Sequence, residues 1–304
     1  MESLALDVLA IAAHRDDVEQ TCGGTLLKMA ELGRRTGILD LSRGEMGTRG
    51  SMEERAAEAA EAAKILRASW REALDIPDGR VENTWANRLK VARVIRQTRP
   101  RVVILPYWKG RHPDHYTASQ LGYEACFLSG LAKLDVDQSL STEQSSFRQV
   151  ASAIASVVAG EEQQPTSAAE AERSGARSGT AEGRALPGPA ASHEHDKGSG
   201  TRLPPHRPFK IIYATLYYDI RPTFVVDITD QFEARFESLM AYKTQFSDQD
   251  AGKDIFPARA EIRTRIEAMA RFYGMLAGVT YAEPFLQKEV GLVEDVTAIP
   301  VKSI

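Results

Sequence analysis

Short apolar runs recur along the first part of the chain. Residues 4–12 are apolar except for Asp7, and residues 102–105 read VVIL. Apolar runs of this length without polar alternation are typical of strands that are covered on both faces. A partly apolar run at 36–41 predicts a further strand.

Segments with helical spacing separate these strands. Ser51 and Glu54 have the spacing of a capping box, and Gly33 is placed to end the first helix. The predicted helices are 25–32, 51–66, 85–97 and 116–131. An alternation of strands and helices favours a parallel sheet between two helical layers, so the sequence predicts a Rossmann-like three-layer α/β/α fold with a mostly parallel sheet.

The pattern changes in the second half of the chain. Residues 144–158 keep helical spacing, but 160–202 are rich in Ala, Gly, Ser and Glu and contain no aromatic residue. Such a segment buries too little apolar surface to offset the entropy of ordering it. We therefore predict one domain over residues 1–304, interrupted by a disordered insertion at about 160–202.

Regular patterns resume after the insertion. The predicted strands and helices there are 209–218, 223–228, 229–246 and 258–272.

Composition and charge narrow the class of protein. Of the 304 residues, 43% are hydrophobic and 26% are charged, as in ordinary globular proteins. The net charge is −4 and no Lys/Arg stripe is present, which argues against a nucleic-acid partner. Two cysteines cannot form a disulfide framework, and the sequence has neither a signal-peptide pattern nor an apolar run of membrane-spanning length. A cytoplasmic protein without a membrane partner is expected.

Three of the six histidines lie in two short acidic motifs. The first motif, HRDD at 14–17, follows the strand predicted at 4–12. The second, HPDH at 112–115, follows the strand predicted at 102–105. Because ligands of open α/β sheets bind beyond the carboxyl ends of the strands, the two motifs are expected to converge on one crevice.

The residue types in these motifs suit zinc. His14, Asp17 and His115 supply two imidazoles and one carboxylate, which leaves one coordination position open, as in catalytic zinc sites. Asp16 is then available as a general base.

His112 and Asp114 form a second pair. In this interpretation Asp114 orients His112, which donates to an oxyanion or a leaving group. His-x-x-Asp alone is common in proteins without metal, and His-Pro occurs in ordinary turns, so the prediction depends on both motifs following buried strands.

Together the two motifs resemble those of the PIG-L/LmbE-type zinc-dependent deacetylases, which remove N-acetyl groups from glucosamine-containing substrates. The likeness extends to CGGTLLKMAELG, GEMGTRGS, LDIPDGR, RPTFVVDIT and LMAYKTQF. It is strongest for the bacillithiol-biosynthesis branch, whose substrate is N-acetylglucosaminyl-malate. The resemblance implies one Zn²⁺ per chain, an amino-sugar substrate and a homo-oligomer, often a hexamer.

The resemblance also assigns roles. It implies that the zinc ligands are His14, Asp17 and His115, that the general base is Asp16, and that the proton-transfer or oxyanion pair is His112 and Asp114. It places Arg55 and Arg111 in the substrate pocket, with Arg207 as a further contact. Arginine forks suit the carboxylates of malate.

One departure leaves alternatives open. The family usually has proline or a small residue where this chain has Arg15. We expect its side chain to point away from the metal and toward solvent, because neighbours on an extended segment alternate sides. The alternatives are a deacetylase or amidase of another N-acyl amino sugar, and a non-catalytic sugar-binding homologue. His193 and His195 lie in the low-complexity segment and are interpreted as incidental.

Overall fold

The computed structural model describes residues 4–137, 203–216, 219–246 and 258–300. The insertion predicted at about 160–202 lies outside these residues, and so does the predicted helix at 144–158. Both stay predictions.

Within these residues, seven strands form one sheet in the order β3-β2-β1-β4-β5-β7-β6. In chain order they are β1 (Val8–Ala12), β2 (Thr36–Asp40), β3 (Trp70–Ala73), β4 (Val102–Pro106), β5 (Lys210–Ala214), β6 (Phe224–Asp227) and β7 (Ala282–Leu286). The first five are parallel to one another, whereas β7 runs antiparallel to β5 and β6. The predicted α/β fold with a mostly parallel sheet is confirmed.

Helices cover both faces of the sheet. They are α1 (Asp17–Thr21), α2 (Gly23–Glu31), α3 (Met52–Ile65), α4 (Trp85–Thr98), α5 (Pro113–Ser129), α6 (Phe232–Met240), α7 (Lys243–Phe246) and α8 (Arg259–Ala277). Apolar residues of α4 and α5 form one buried core with β1 and β4. A second core joins the other face of these strands to α1 and α2.

The predicted capping box and the predicted glycine stop can be checked against the structure. The Ser51 hydroxyl accepts a hydrogen bond from the Glu54 amide at 3.1 Å, and the Glu54 carboxylate accepts one from the Ser51 amide at 2.8 Å. Gly33, just after α2, has a φ of 76°, which glycine adopts without strain. The capping box and the glycine stop are both present as predicted.

Two strands, β3 and β7, were not predicted. β7 contains Glu283 and Pro284, and both residue types are depleted from central strands. Glu283 is tolerated because its two carboxylate oxygens accept the backbone amides of Gly24 and Thr25 at 2.9 and 2.7 Å. The helix predicted over 229–246 is also wrong in its continuity, because it is divided into α6 and α7.

The strand order creates one crevice. β2 and β3 follow β1 in the chain and lie on one side of it in the sheet. β4 and β5 come next in the chain and lie on the opposite side of β1. The switch in direction falls between β1 and β4. In open α/β sheets this is the position where ligands bind.

Candidate metal centre

Both histidine motifs lie at this crevice. β1 ends at Ala12, just before His14, and β4 ends at Pro106, before the motif that begins α5 at Pro113. Because β1 and β4 pair directly, the loops that follow them meet at the same edge of the sheet.

The three predicted ligands face one another. His14 Nδ1 lies 3.2 Å from His115 Nε2 and 3.4 Å from Asp17 Oδ2. His115 Nε2 lies 3.2 Å from Asp17 Oδ1. His14 and Asp17 are only 8% and 7% exposed, so this donor set is largely shielded from water.

These separations fit one tetrahedral cation. Zinc binds nitrogen and oxygen donors at ~2.0–2.1 Å, and a tetrahedron then separates two donors by roughly 3.3–3.4 Å. The two imidazole nitrogens lie 3.2 Å apart, close to that value, and each lies 3.2–3.4 Å from one oxygen of the Asp17 carboxylate. The residues present therefore suit a divalent cation bound by three protein ligands.

The second nitrogen of His14 is held by carboxylates. His14 Nε2 lies 3.1 Å from Asp78 Oδ1 and 3.3 Å from Asp114 Oδ2. With Nδ1 turned toward the other ligands, Nε2 is the nitrogen that donates a proton to these oxygens. Such a partner fixes the ring orientation and tautomer of a metal-binding histidine.

Asp114 is itself anchored by backbone amides. Its carboxylate accepts hydrogen bonds from Gly79 N at 2.8 Å and Val81 N at 3.1 Å. His14, His112 and Asp114 also form a group whose donor atoms lie within 4.8 Å of one another. Because the Asp114 oxygens already serve two amides and an imidazole, we assign Asp114 a supporting role beside the first group.

The charges of the ligands stabilise each other. Burial by itself lowers the pKa of His14, but the attraction of Asp17 and hydrogen bonds to Asp114, Asp17 and Asp78 outweigh it and raise the pKa to about 12. Burial raises the pKa of Asp17, but His115 and His14 hold it well below its usual range. The cluster is thus strongly cation-attracting, and a divalent ion would replace the protons on the imidazoles.

Asp16 differs from Asp17 in its electrostatics. Its Oδ1 lies 3.7 Å from Arg55 Nη2, and its Oδ2 accepts a hydrogen bond from Gln20 Nε2 at 3.2 Å. Burial and then the negative charge of Asp17 raise the pKa of Asp16, although Arg55 opposes both. A carboxylate with a raised pKa is a better proton acceptor near neutral pH.

His112 caps α5. Its Nδ1 accepts a hydrogen bond from the Asp114 amide at 3.2 Å. Burial and the nearby His14 and His115 lower the pKa of His112, which favours the neutral ring. Since Nδ1 is an acceptor, the proton of that ring is on Nε2. The predicted contact between the Asp114 carboxylate and His112 is replaced by this backbone contact.

A buried ionic network lies behind the HRDD loop. The Arg71 guanidinium contacts Glu19 Oε1 at 2.6 Å and Asp40 Oδ2 at 2.9 Å. Arg71 and the Tyr242 hydroxyl both donate to the backbone carbonyl of Arg15. The backbone between His14 and Asp16 is therefore held by two side chains from elsewhere in the fold.

Arg15 and Arg55 are both buried, at 8% and 4% exposure. Arg15 Nη1 donates to the Met52 carbonyl at 2.8 Å, so the expectation that this side chain reaches solvent is wrong. Arg55 Nη1 donates to the Gly44 carbonyl at 3.1 Å on the glycine-rich loop. The buried arginine side chains thus tie the site to α3 and to this loop.

Arg111 and Arg207 lie in different regions. Arg111 is exposed and directly precedes His112, at the edge of the site. The Arg207 guanidinium stacks on Phe127, 4.8 Å from the ring centroid. Phe127 follows His115 by about 18 Å along α5, at ~1.5 Å per residue, so the fold does not bring Arg207 to the site.

A small cavity of about 30 Å³ adjoins two of the candidate ligands. We call it the inner cavity. Asp17 and His115 are at its polar end, and its apolar walls include Ala12, Ile104 and Ala214 from three adjacent strands.

Sequence reasoning missed Asp78, Arg71 and Tyr242. Asp78 lies in the LDIPDGR segment and Tyr242 in the LMAYKTQF segment. Only the family resemblance points to these two segments. Nothing in their local pattern indicates that they reach the loop after β1.

In the described part of the chain, every helix is too short or too polar to cross a lipid bilayer.

Comparisons with known proteins agree with this architecture. The sequence model of the PIG-L family, described as GlcNAc-PI de-N-acetylase, matches residues 9–126. The chain is 31% identical to the conserved protein TT1542 from Thermus thermophilus, covers 98% of that structure with 95% of its own length, and superposes with a TM-score of 0.66.

Two further relatives are diacetylchitobiose deacetylases. The chain is 26% identical over 288 residues to diacetylchitobiose deacetylase of Thermococcus kodakarensis, covering 91% of this chain and 80% of that protein. N,N'-diacetylchitobiose deacetylase from Pyrococcus horikoshii shares the fold, with a TM-score of 0.63 at 21% identity over 91% of this chain and 82% of that structure.

The fold and the His/Asp cluster define an α/β enzyme with a candidate divalent-metal site at the switch point of its sheet. More particularly, the chain belongs to the PIG-L family of de-N-acetylases, which are metal-dependent amide hydrolases. The predicted family and enzyme class are confirmed. Both of these relatives are diacetylchitobiose deacetylases, and neither supports the bacillithiol branch in particular.

Proposed function

We propose that the protein is a zinc-dependent hydrolase that removes the N-acetyl group from an N-acetylglucosamine conjugate. The observation that carries this proposal is the mutual approach of His14, Asp17 and His115 to 3.2–3.4 Å, with the Asp16 carboxylate beside them. Membership of the PIG-L family supports it.

In this proposal the ligands are His14 Nδ1, Asp17 and His115 Nε2. The ion supplies Lewis-acid activation of the amide carbonyl and of water. Asp78 and Asp114 hold the Nε2 proton of His14 and thereby keep its ring aligned.

Asp16 is the proposed general base. It accepts a proton from the attacking water and passes it to the amine as the amide C–N bond breaks, which yields acetate and a free glucosamine amine. Arg55 and Gln20 hold one carboxylate oxygen each and so restrict the rotation of Asp16. Arg55 thus acts first on the base, whereas Arg111 is placed to meet a substrate group at the edge of the site.

His112 is the proposed hydrogen-bond donor. With Nδ1 occupied by the Asp114 amide, its Nε2–H is available to the carbonyl oxygen as that oxygen gains negative charge. A neutral histidine serves this role without competing with the cation for the site.

Two substrates follow from different observations. The sequence segments that resemble the bacillithiol branch favour N-acetylglucosaminyl-malate. The relative at 26% identity favours an N-acetylated glucosamine oligosaccharide such as diacetylchitobiose. Acetate release from these two compounds and from free N-acetylglucosamine separates the candidates.

A non-catalytic sugar-binding protein is the alternative from another class. This alternative depends on Arg15, because its positive charge would repel a metal ion if the side chain pointed into the site. The contact of Arg15 with the Met52 carbonyl favours a live enzyme.

Metal content tests the ligand set. His115→Ala is expected to lose stoichiometric zinc and acetate release but to keep its far-UV circular dichroism. His206→Ala is the matched control, because His206 bonds the Pro100 carbonyl away from the cluster and its loss should leave zinc content unchanged. Undiminished zinc in folded His115→Ala would contradict the proposal.

The homo-oligomer, a hexamer by resemblance, stays a prediction. Sedimentation velocity of the purified chain measures it directly.

A further inference from the structure

The inner cavity is a part of the site that the proposed reaction leaves unused. Among the described residues its walls are mostly aliphatic: Ala12, Val18, Ile104, Pro106, Ala214 and Leu216. Asp17 and His115 are the candidate ligands that border it. Lys109, at its rim, is exposed.

Groups around the ligand cluster are segregated by polarity. Asp78 contacts His14, and Asp16, next to Asp17 in sequence, contacts Arg55; none of Asp16, Arg55 and Asp78 lines the inner cavity. An N-acyl sugar amide has the same polarity, with a hydroxyl-rich sugar on nitrogen and a hydrocarbon chain on the carbonyl carbon. Burying hydrocarbon against aliphatic walls is favourable, whereas burying sugar hydroxyls there without partners is costly.

We propose that the inner cavity is the acyl subsite and that it accepts linear aliphatic acyl groups longer than acetyl, such as propionyl and butyryl. This inference rests on the proposed function, because it assigns the carbonyl carbon to the ligand cluster. It adds a substrate class: N-acyl amino sugars whose acyl chain has three or four carbons.

Leu216 lies at a boundary of the inner cavity. A second small cavity of about 20 Å³ lies next to it, and Thr21 and Leu216 line both. These two side chains therefore form the wall between the cavities. Shortening Leu216 should open the second cavity to a longer chain, and enlarging it should shorten the subsite.

The expected gain follows from hydrocarbon burial. Complete burial of one methylene strengthens binding by about four-fold. A methylene that is only partly buried near the mouth of the cavity strengthens binding by less. We therefore expect affinity to rise two- to four-fold for each carbon added from acetate to butyrate.

The test uses the zinc-loaded full chain and has two arms. The first measures the affinity for acetate, propionate, butyrate and hexanoate by thermal-shift titration, which needs no turnover. The second measures kcat/KM for N-acetyl-, N-propionyl-, N-butyryl- and N-hexanoylglucosamine conjugates. Both arms are repeated with Leu216→Ala and Leu216→Trp. Matched controls are Leu32→Ala and Leu32→Trp, since Leu32 is 63% exposed at the end of α2.

Affinity should rise from acetate to butyrate. Leu216→Trp should weaken the binding of butyrate at least ten-fold more than the binding of acetate. Leu216→Ala should strengthen the binding of hexanoate. N-butyryl substrate should be cleaved within ten-fold of N-acetyl. Carboxylate affinities that do not depend on chain length, or Leu216 variants that change all chains equally, would overturn the acyl subsite.

The failures of the two proposals can be told apart. If the carboxylate series behaves as expected but no acyl sugar is cleaved, the hydrolase proposal falls and takes the acyl assignment with it, although the inner cavity still binds aliphatic chains. If N-acetyl substrate is cleaved while the carboxylate series is flat, the hydrolase stands and the subsite falls.

Discussion

Replacing Arg71 with methionine removes the cation of the buried network while keeping a long apolar side chain. Glu19 and Asp40 are 0% and 1% exposed, and both carboxylates contact this guanidinium. Breaking a buried ion pair from one side costs about 3–5 kcal/mol, because the remaining charge is left uncompensated. The Tyr242 hydroxyl still donates a hydrogen bond to the Arg15 carbonyl in this variant. We therefore expect the free energy of unfolding to fall by about 4 kcal/mol at pH 7.5, within the range given for a broken buried pair.

The loss should depend on pH. Burial raises the pKa of Glu19 to about 7 even though Arg71 opposes the shift, and without Arg71 this pKa rises further. A carboxyl whose folded pKa exceeds its unfolded value of ~4.3 favours the folded state fully below that value and loses this contribution as the pH rises. The loss in free energy of unfolding caused by Arg71→Met should therefore be smaller at pH 5 than at pH 7.5.

Urea unfolding followed by far-UV circular dichroism at the two pH values measures this difference. Arg265→Met is the matched control, since its ion pair with Glu261 is exposed and should change stability by less than ~0.5 kcal/mol. A deficit below 1 kcal/mol at pH 7.5, or one that is equal at both pH values, would refute the reasoning.

Further predictions concern the base, a helix cap and the insertion. Asp16→Asn should lower kcat by roughly 10²–10⁴-fold while zinc content stays at the wild-type level, since a general base is lost and no ligand is; full activity would exclude Asp16 as the base. Glu283→Gln should lower the free energy of unfolding by about 1–3 kcal/mol, because one of the two oxygens that accept the first amides of α2 becomes a donor; unchanged urea unfolding would contradict this. Deleting residues 161–200, with a short flexible linker in their place, should change the melting temperature little, and a large fall would show that the segment packs on the domain.

The candidate ligand cluster of His14, Asp17 and His115 was predictable because its signals are local. Each motif directly follows an apolar strand, and strands of this kind adjoin in parallel sheets. Knowing that His14 follows β1 and His115 follows β4 is enough to bring them together once the two strands pair. The same logic predicts Asp17, which is only three residues from His14.

The supporting residues were not predictable in this way. Asp78 follows β3, a four-residue strand whose segment, WREA, carries two charges and little hydrophobic pattern. Arg71 lies within that strand, where a buried arginine runs against the usual composition of buried positions. Their placement depends on β3 joining β2 at the far end of the parallel set, which is a long-range event that no short window encodes.

Arg15 shows how tertiary contacts replace a local restraint. A proline at this position would fix φ near roughly −65° and so limit the freedom of the loop by its own covalent structure. Arginine supplies no such restraint. Here the carbonyl of residue 15 is held by Arg71 and Tyr242, and its guanidinium is held by the Met52 carbonyl. The loop between His14 and Asp16 is therefore fixed from three sides by residues distant in sequence, and this explains why a charged, flexible side chain is compatible with an ordered ligand cluster.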